Sequence, residues 1–239
     1  MAHRINIVVG FDQREAIAYH VFTQSIIEKA SLPIAFMPLA VNTLTDYSEK
    51  HIDRSNDFVY SRFLTPYLNH FQDWAIFADG DMVCQADIAE LWNLRDESKA
   101  ILVVKHDYQT KAHTKYLGNI NENYPRKNWS SLILWNCKHP KHKILTPEFI
   151  ENQTGKFLHR FAWLEDSDIG ELPREWNWLV TEYPNNPSAK LLHFTLGTPC
   201  FKDYKDSDMA ECWHSVQKKI ASRFRIIFYE IRTFYESLP

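Results

Sequence analysis

Ala75-Ile-Phe-Ala-Asp79-Gly80-Asp81-Met-Val-Cys84 is a short apolar run that ends in two carboxylates held one residue apart. Four apolar residues in a row read as a strand buried on both faces, and such strands belong to parallel sheets covered by helices. In open α/β sheets ligands collect at the carboxyl ends of the strands, where this acid pair falls. Two carboxylates so close repel each other and drive one pKa up unless a cation neutralises them. Oxygen ligands of this type suit Mn²⁺ or Mg²⁺ carrying a phosphate. Gly80, without a side chain, reads as room for a bulky ligand against the backbone. The other reading is an acidic turn that caps the next helix, a role Asp87 could fill alone.

Outward from this stretch the pattern repeats. Ile5–Val9 is a β-branched strand, and Asp12-Gln-Arg-Glu15 resembles a helix cap with its partner three residues on. The segment 16–29 has helical spacing, with Ile17, Val21 and Ile26 on one side. Residues 56–68 read as a second helix. Further apolar strands are predicted at 101–104, 131–135 and 191–195. Strands alternating with helical stretches predict an α/β domain, with a mostly parallel central sheet flanked by helices, over residues 1–205. A C-terminal amphipathic helix over 206–239 follows, with apolar residues from Trp213 to Phe234 at 3-and-4 spacing.

Composition narrows the class. The 239 residues are 45% hydrophobic and 24% charged, which excludes a disordered or fibrous chain. Only six glycines accompany 14% aromatics, against a sandwich built on glycine turns. The net charge of −3 gives no reason to expect nucleic acid as a partner. Residues 213–239 carry five basic residues, Lys218, Lys219, Arg223, Arg225 and Arg232, against Glu230 and Glu236. Such a tail could make a peripheral contact with anionic lipid, or simply cover the domain with a solvated basic face. No apolar run approaches the ~18–20 residues a spanning helix needs, and the start lacks the pattern of a signal peptide. Cys84, Cys137, Cys200 and Cys212 form no paired motif and read as reduced thiols. The expected location is therefore cytoplasmic, either free or peripheral at the inner face of a membrane, and the glycosylation-like triplets at Asn128 and Asn152 carry no weight there.

His193 closes an apolar strand just before Thr195-Leu-Gly197-Thr-Pro199. It reads either as a core histidine satisfied by the backbone or as a neutral imidazole ligand for Mn²⁺. His106 and Asp107, after the 101–104 strand, read either as contacts to sugar or acceptor hydroxyls or as a turn.

Phe77-Ala-Asp-Gly-Asp81-Met with Asp87-Ile-Ala-Glu-Leu91-Trp resembles the Asp-x-Asp segment of retaining sugar-nucleotide glycosyltransferases, specifically the glycogenin and lipopolysaccharide galactosyltransferase-like family 8 with its GT-A fold. Gly10-Phe-Asp-Gln-Arg-Glu-Ala-Ile-Ala-Tyr19-His, the stretch Tyr124 to Cys137, Leu158–Leu164 and Ile169–Leu179 resemble a poorly characterised bacterial branch of it, so that the likeness spans roughly residues 4–202. The resemblance implies a UDP-sugar donor and Mn²⁺ (or Mg²⁺) held by Asp79, Asp81 and His193. Gly10, Phe11 and Asp12 would hold the uridine. Arg62 would lie near the donor and the first carboxylate. Ser130 and Ser131 would face the donor sugar, Gly197 would approach the diphosphate, and Asp166 would be the carboxylate beside the reacting sugar, with Glu165 and Asp168 close by. Gly80 lies between the two ligands. The family's Asn-Ala-Gly reads Trp129-Ser-Ser here and its Asp-Gln reads Asp166-Ser, which leaves the sugar open. No lysine stands at the family's place after His193, although Lys202 is near.

The implied activity is metal-dependent transfer of a hexose from a UDP-sugar, with retention, to a glycan, lipid-linked or protein acceptor. The competing readings are a degenerate sugar-nucleotide-binding protein and a nucleotidyltransferase of similar fold. The second would need a phosphate-gripping glycine-rich loop, and residues 9–15 hold only Gly10.

Overall fold

The computed structural model describes residues 4–52, 55–121 and 123–222. Nine strands and six helices follow one another as β1 (Ile5–Gly10), α1 (Ala16–Ile27), β2 (Ile34–Leu39), α2 (Thr65–Leu68), β3 (Trp74–Ala78), β4 (Met82–Cys84), α3 (Ile88–Trp92), β5 (Ile101–Val103), β6 (Leu132–Asn136), α4 (Pro147–Glu151), α5 (Gly155–His159), β7 (Ile169–Glu171), β8 (Trp178–Leu179), β9 (Leu191–His193) and α6 (210–222) among the described residues. Six strands form the main sheet in the order β2-β1-β3-β6-β5-β7. Its β1–β2, β1–β3 and β5–β7 pairs are parallel, while β6 runs antiparallel to both neighbours. The mostly parallel sheet expected from the apolar runs is therefore present, with one reversed strand near its centre.

Alternation along the strands splits the core in two. Ile5, Ile7, Val9, Ile76 and Leu134 face Phe22 and Ile26 of α1 and Leu91 of α3. Val8, Phe77, Ile133, Trp135 and Val103 face the aromatic layer of Phe58, Tyr60, Phe63 and Phe161. A second sheet, β4-β9-β8, packs Val83 and Leu192 against Val21 of α1 and against Trp213 and Val216 of α6.

Two local expectations are corrected. Residues 56–68 do not form one helix, because Pro66 lacks an N–H and is accommodated only in a first turn. The chain instead makes a 3₁₀ turn over Ser61–Leu64 and then α2. Asp12 does cap the turn Gln13–Glu15, but Glu15 does not reach back to it; it is buried and accepts from the Tyr116 hydroxyl at 3.0 Å. The C-terminal helix is described only to residue 222, and to that point it packs on the domain, with Lys219 paired to Glu28 at 2.6 Å. Arg223, Arg225 and Arg232 lie outside the described residues. Among the described residues no helix is long and apolar enough to cross a membrane.

Candidate metal and donor site

The segment Asp79-Gly80-Asp81 is the step between the two sheets. β3 ends at Ala78 in the large sheet, and β4 starts at Met82 in the small one. The Asp79 amide bonds the Ser131 carbonyl at 2.9 Å, which continues the β3–β6 ladder by one residue. Met82 pairs with His193, and the Phe194 amide donates to the Asp81 carbonyl at 3.0 Å. This register brings a histidine more than a hundred residues away to the acid pair. One ligand atom from each of Asp79, Asp81 and His193 lies within 4.8 Å of the others, and all three residues are buried. Asp87, by contrast, caps α3 through the Ala89 amide, so the acid pair is not needed for capping.

These residues face a cleft of about 450 Å³, within the range of about 300–1,000 Å³ usual for small-ligand sites. Arg62, Ser130 and Ser131 line it too. Arg62 is 4% exposed and sits between the Phe58 and Phe77 rings, 5.4 and 5.2 Å from their centroids. Its Nη1 donates to the Ser130 carbonyl at 2.9 Å and lies 2.9 Å from Asp79 Oδ1. That proximity is electrostatic, because the N–H is not aimed along it and Oδ1 stays without a hydrogen bond.

Two further cleft residues had no local signal in the sequence. Lys115, from the long β5–β6 connection, is half-buried, with its Nζ donating to Thr195 Oγ1 at 3.1 Å. Burial pushes its pKa down, opposed by Asp81 and Asp79. His159, at the end of α5, is 2.7 Å from Ser130 Oγ through Nδ1, and burial with Arg62 nearby drives its pKa down to about 3. A neutral His159 therefore shares one hydrogen with the serine. Both residues reach the cleft from other loops, which only their distant neighbours reveal.

Six residues singled out in the sequence stand outside the cleft lining: Gly10, Phe11, Asp12, Gly80, Gly197 and Asp166. The three glycines have internal reasons. A Cβ on Gly80 would lie 2.5 Å from the Gly10 carbonyl oxygen, so the close approach is to the chain's own backbone rather than to a ligand. A Cβ on Gly10 would meet the Phe58 ring, and one on Gly197 the Tyr204 ring, both at 2.5 Å. Phe11 packs edge-on against Tyr19. Asp12 is occupied by the Arg14 backbone and guanidinium and by the Asp57 amide; burial alone would push its pKa up, but Arg14 and the amide hold it below the ordinary range. Asp166 is at the surface, its carboxylate paired with Arg126. His106 is buried and 2.7 Å from the Tyr183 hydroxyl, away from the cleft lining.

The acid pair is strongly unbalanced. Burial first and Asp81 next push Asp79 up to about 6, with Arg62 opposing, whereas His193 and Lys115 overcome the effect of burial on Asp81 and hold it low. Asp79 Oδ1 and Asp81 Oδ1 are both buried without a hydrogen-bond partner. His193 Nε2 faces Asp81 Oδ1 at 3.3 Å, and the other ring nitrogen, Nδ1, is 2.9 Å from Asn177 Oδ1. Converging lone pairs without enough donors are what a divalent cation needs, and two carboxylates plus an imidazole suit Mn²⁺ or Mg²⁺. The residues present fit such an ion.

The profile of Glycosyl transferase family 8 matches residues 6–153. The chain is 44% identical over 216 residues to Protein CDI of Arabidopsis thaliana, covering 87% of this chain and 83% of that protein. A plant relative at that identity gives no support to the expected bacterial branch. Among solved structures, the bifunctional glycosyltransferase WbbM superposes with a TM-score of 0.61 at 17% identity over 89% of this chain, which spans about half (49%) of the WbbM chain. The galactosyltransferase LgtC, solved with donor and acceptor sugar analogues, gives 0.57 at 11% identity over 90% of this chain and 96% of its own. GlyE of Streptococcus pneumoniae TIGR4 gives 0.60 at 14%, with 89% of this chain and 60% of GlyE covered. These likenesses are of fold, and the fold is the α/β GT-A type. By profile and by identity, the chain belongs to glycosyl transferase family 8.

Proposed function

We propose that this protein transfers a hexose from a UDP-sugar to a glycan, lipid-linked or protein acceptor, with retention, using Mn²⁺ or Mg²⁺ bound by Asp79, Asp81 and His193. The observation that carries the reading is the convergence of those three side chains, with an unmatched oxygen on each carboxylate, on the wall of a cleft that also holds two cations, the buried Arg62 and the half-buried Lys115. A divalent ion there would supply Lewis-acid neutralisation of the charge that gathers on a departing nucleoside diphosphate.

The chain's own groups do the rest. Lys115 supplies an ammonium bonded to Thr195, two residues after His193, a position able to compensate for the absent lysine there. Arg62 keeps Asp79 oriented and its charge balanced. Ser130 and Ser131 leave space for a sugar between β6 and α5, and Ser130 with His159 offers polar contacts to its hydroxyls. Among the described residues the only carboxylates lining the cleft are Asp79 and Asp81. That favours attack on the same face as departure over a covalent intermediate on Asp166, which is exposed at the surface. The four free cysteines are compatible with a reducing, cytoplasmic setting.

Thermal unfolding with UDP, GDP, CMP and ADP, each with Mn²⁺ and then with EDTA, tests the donor class. Ligand at 100 times its Kd stabilises by about 2.7 kcal/mol, and each kcal/mol moves the midpoint of a chain this long by roughly 2–4 °C. A metal-dependent rise with UDP alone is expected; no rise with any nucleotide would leave a degenerate site as the better account.

A further inference from the structure

We propose that Asn177 is a positioning residue that fixes the tautomer of His193, so that Nε2 presents a bare lone pair toward Asp79 and Asp81. The inference rests on the metal-site reading above and adds a residue that no ligand touches. Asn177 is fully buried and immediately precedes β8, the parallel neighbour of β9, so the register places it beside the ring.

The hydrogen bonds around Asn177 favour one arrangement, because the 2.7 Å bond from Ser131 Oγ to the Asn128 carbonyl is far shorter than the 3.4 Å bond from the Ser131 amide to that carbonyl. The Asn128 carbonyl can only accept, and it accepts from Ser131 Oγ at 2.7 Å. That uses the single hydroxyl hydrogen, so Ser131 Oγ can only accept from Asn177 at 2.8 Å. The group of Asn177 facing Ser131 is therefore its NH₂, which also lies 3.4 Å from the Asn128 carbonyl. Its oxygen must then face His193 Nδ1, at 2.9 Å, and an amide oxygen cannot donate. Nδ1 carries the hydrogen, and in the neutral ring Nε2 has none. Reversing the amide would let its NH₂ donate to a bare Nδ1, but it would set its oxygen against Ser131 Oγ and the Asn128 carbonyl, two acceptors inside the core, where an unmatched polar group is costly. The Asn128–Ser131 turn thus orients Asn177, and Asn177 orients His193. Partners of this kind behind a ligating histidine fix its tautomer and ring plane.

The test has two readouts. In metal-free, ¹⁵N-histidine-labelled protein at mildly alkaline pH, the long-range proton–nitrogen spectrum of His193 should show the Nδ1–H tautomer. Asn177→Leu should lose it, and Ser131→Ala should give a mixture. Mn²⁺ affinity, followed by the loss of the free-ion paramagnetic resonance signal, should fall about 10–100-fold in Asn177→Leu. It should stay within a few-fold in Asn177→Asp, whose carboxylate still accepts from Nδ1. A wild-type His193 with hydrogen on Nε2 overturns the proposal without any variant. So does an Asn177→Leu protein with unchanged tautomer and unchanged Mn²⁺ affinity; if that variant does not fold, Ser131→Ala and Asn177→Asp are read instead. Wild type that binds no Mn²⁺ overturns the metal reading itself, whereas metal binding indifferent to Asn177 overturns only this inference.

Discussion

Two groups of acidic residues lie close to strand ends in this molecule, and they are treated in opposite ways. Glu165, Asp166 and Asp168 form a turn before β7 in which every charge is answered: Lys141 reaches Asp168 at 2.6 Å and Glu165 at 3.5 Å, and Arg126 pairs with Asp166. The Glu165 amide donates to Asp168 at 2.8 Å, which closes the turn on itself. Asp79 and Asp81 are buried, repel each other, and keep one oxygen each without a hydrogen bond. The first group satisfies itself; the second leaves room for a cation from solution. An acidic pair is informative about ligands only when the protein withholds its own donors.

The contrast can be broken at either end. The largest effect is expected from Asp81→Asn, which removes a ligand and a charge while keeping the shape. UDP release from a UDP-sugar should fall by about 10³-fold or more, with no loss of thermal stability, because a buried like-charge contact disappears. Turnover near the wild-type rate would remove the carboxylate from the chemistry.

Arg62→Ala strikes the cation that lies closest to Asp79, at 2.9 Å. Leaving a buried carboxylate without its partner costs about 3–5 kcal/mol, so the unfolding midpoint should drop by roughly 6–20 °C and the KM for donor should rise more than that for acceptor. A drop in midpoint with donor KM unchanged would confine Arg62 to folding.

Glu15 sharpens the comparison, since it is another buried acid near the pair. Burial and then Asp81 push it up to about 8 from an ordinary 4.5. The folded protein therefore binds the extra proton: this contribution to stability is complete below pH 4.5 and is lost as the pH rises towards 8. Glu15→Gln cannot ionise and can still accept from Tyr116. Its stability advantage in urea with EDTA should grow from near zero in acid to a few kcal/mol at alkaline pH. A difference that does not vary with pH would mean Glu15 is ionised and solvated.

The smallest effect belongs to Asp166→Asn. An exposed pair such as Asp166–Arg126 contributes about 0–1 kcal/mol, so stability should move by less than that and transfer should stay within about twofold. A large loss of transfer at unchanged stability would return Asp166 to the reaction.

Much of the fold was legible because its central strands are fully buried. β3 and β5 are unbroken apolar runs, β6 and β9 are apolar up to a closing Asn136 and His193, β1 is broken only by the half-buried Asn6, and the acid pair sits where a run stops. The strands that escaped are short or half-exposed: β2 is an edge strand with Pro38 and an exposed Met37, and β4, β7 and β8 are two or three residues long. Of the candidate site, Asp79, Asp81, Arg62, Ser130, Ser131 and His193 converge on one cleft. Lys115, His159 and Asn177 were not singled out, since each is a lone polar residue, the first in a loop, the second at the end of α5 and the third just before β8, and only the fold supplies its neighbours. Asp166 was singled out by the resemblance alone; in the fold it stands at the surface, paired with Arg126 from a distant segment.

Mn²⁺ titration followed by paramagnetic resonance, run side by side on wild type, Asp81→Asn and Asp166→Asn, meets the central claim most directly. One tight site in wild type, kept in Asp166→Asn and lost in Asp81→Asn, is the predicted result. Binding that survives in Asp81→Asn, or that disappears with Asp166, would contradict the assignment of the metal to the step between the two sheets.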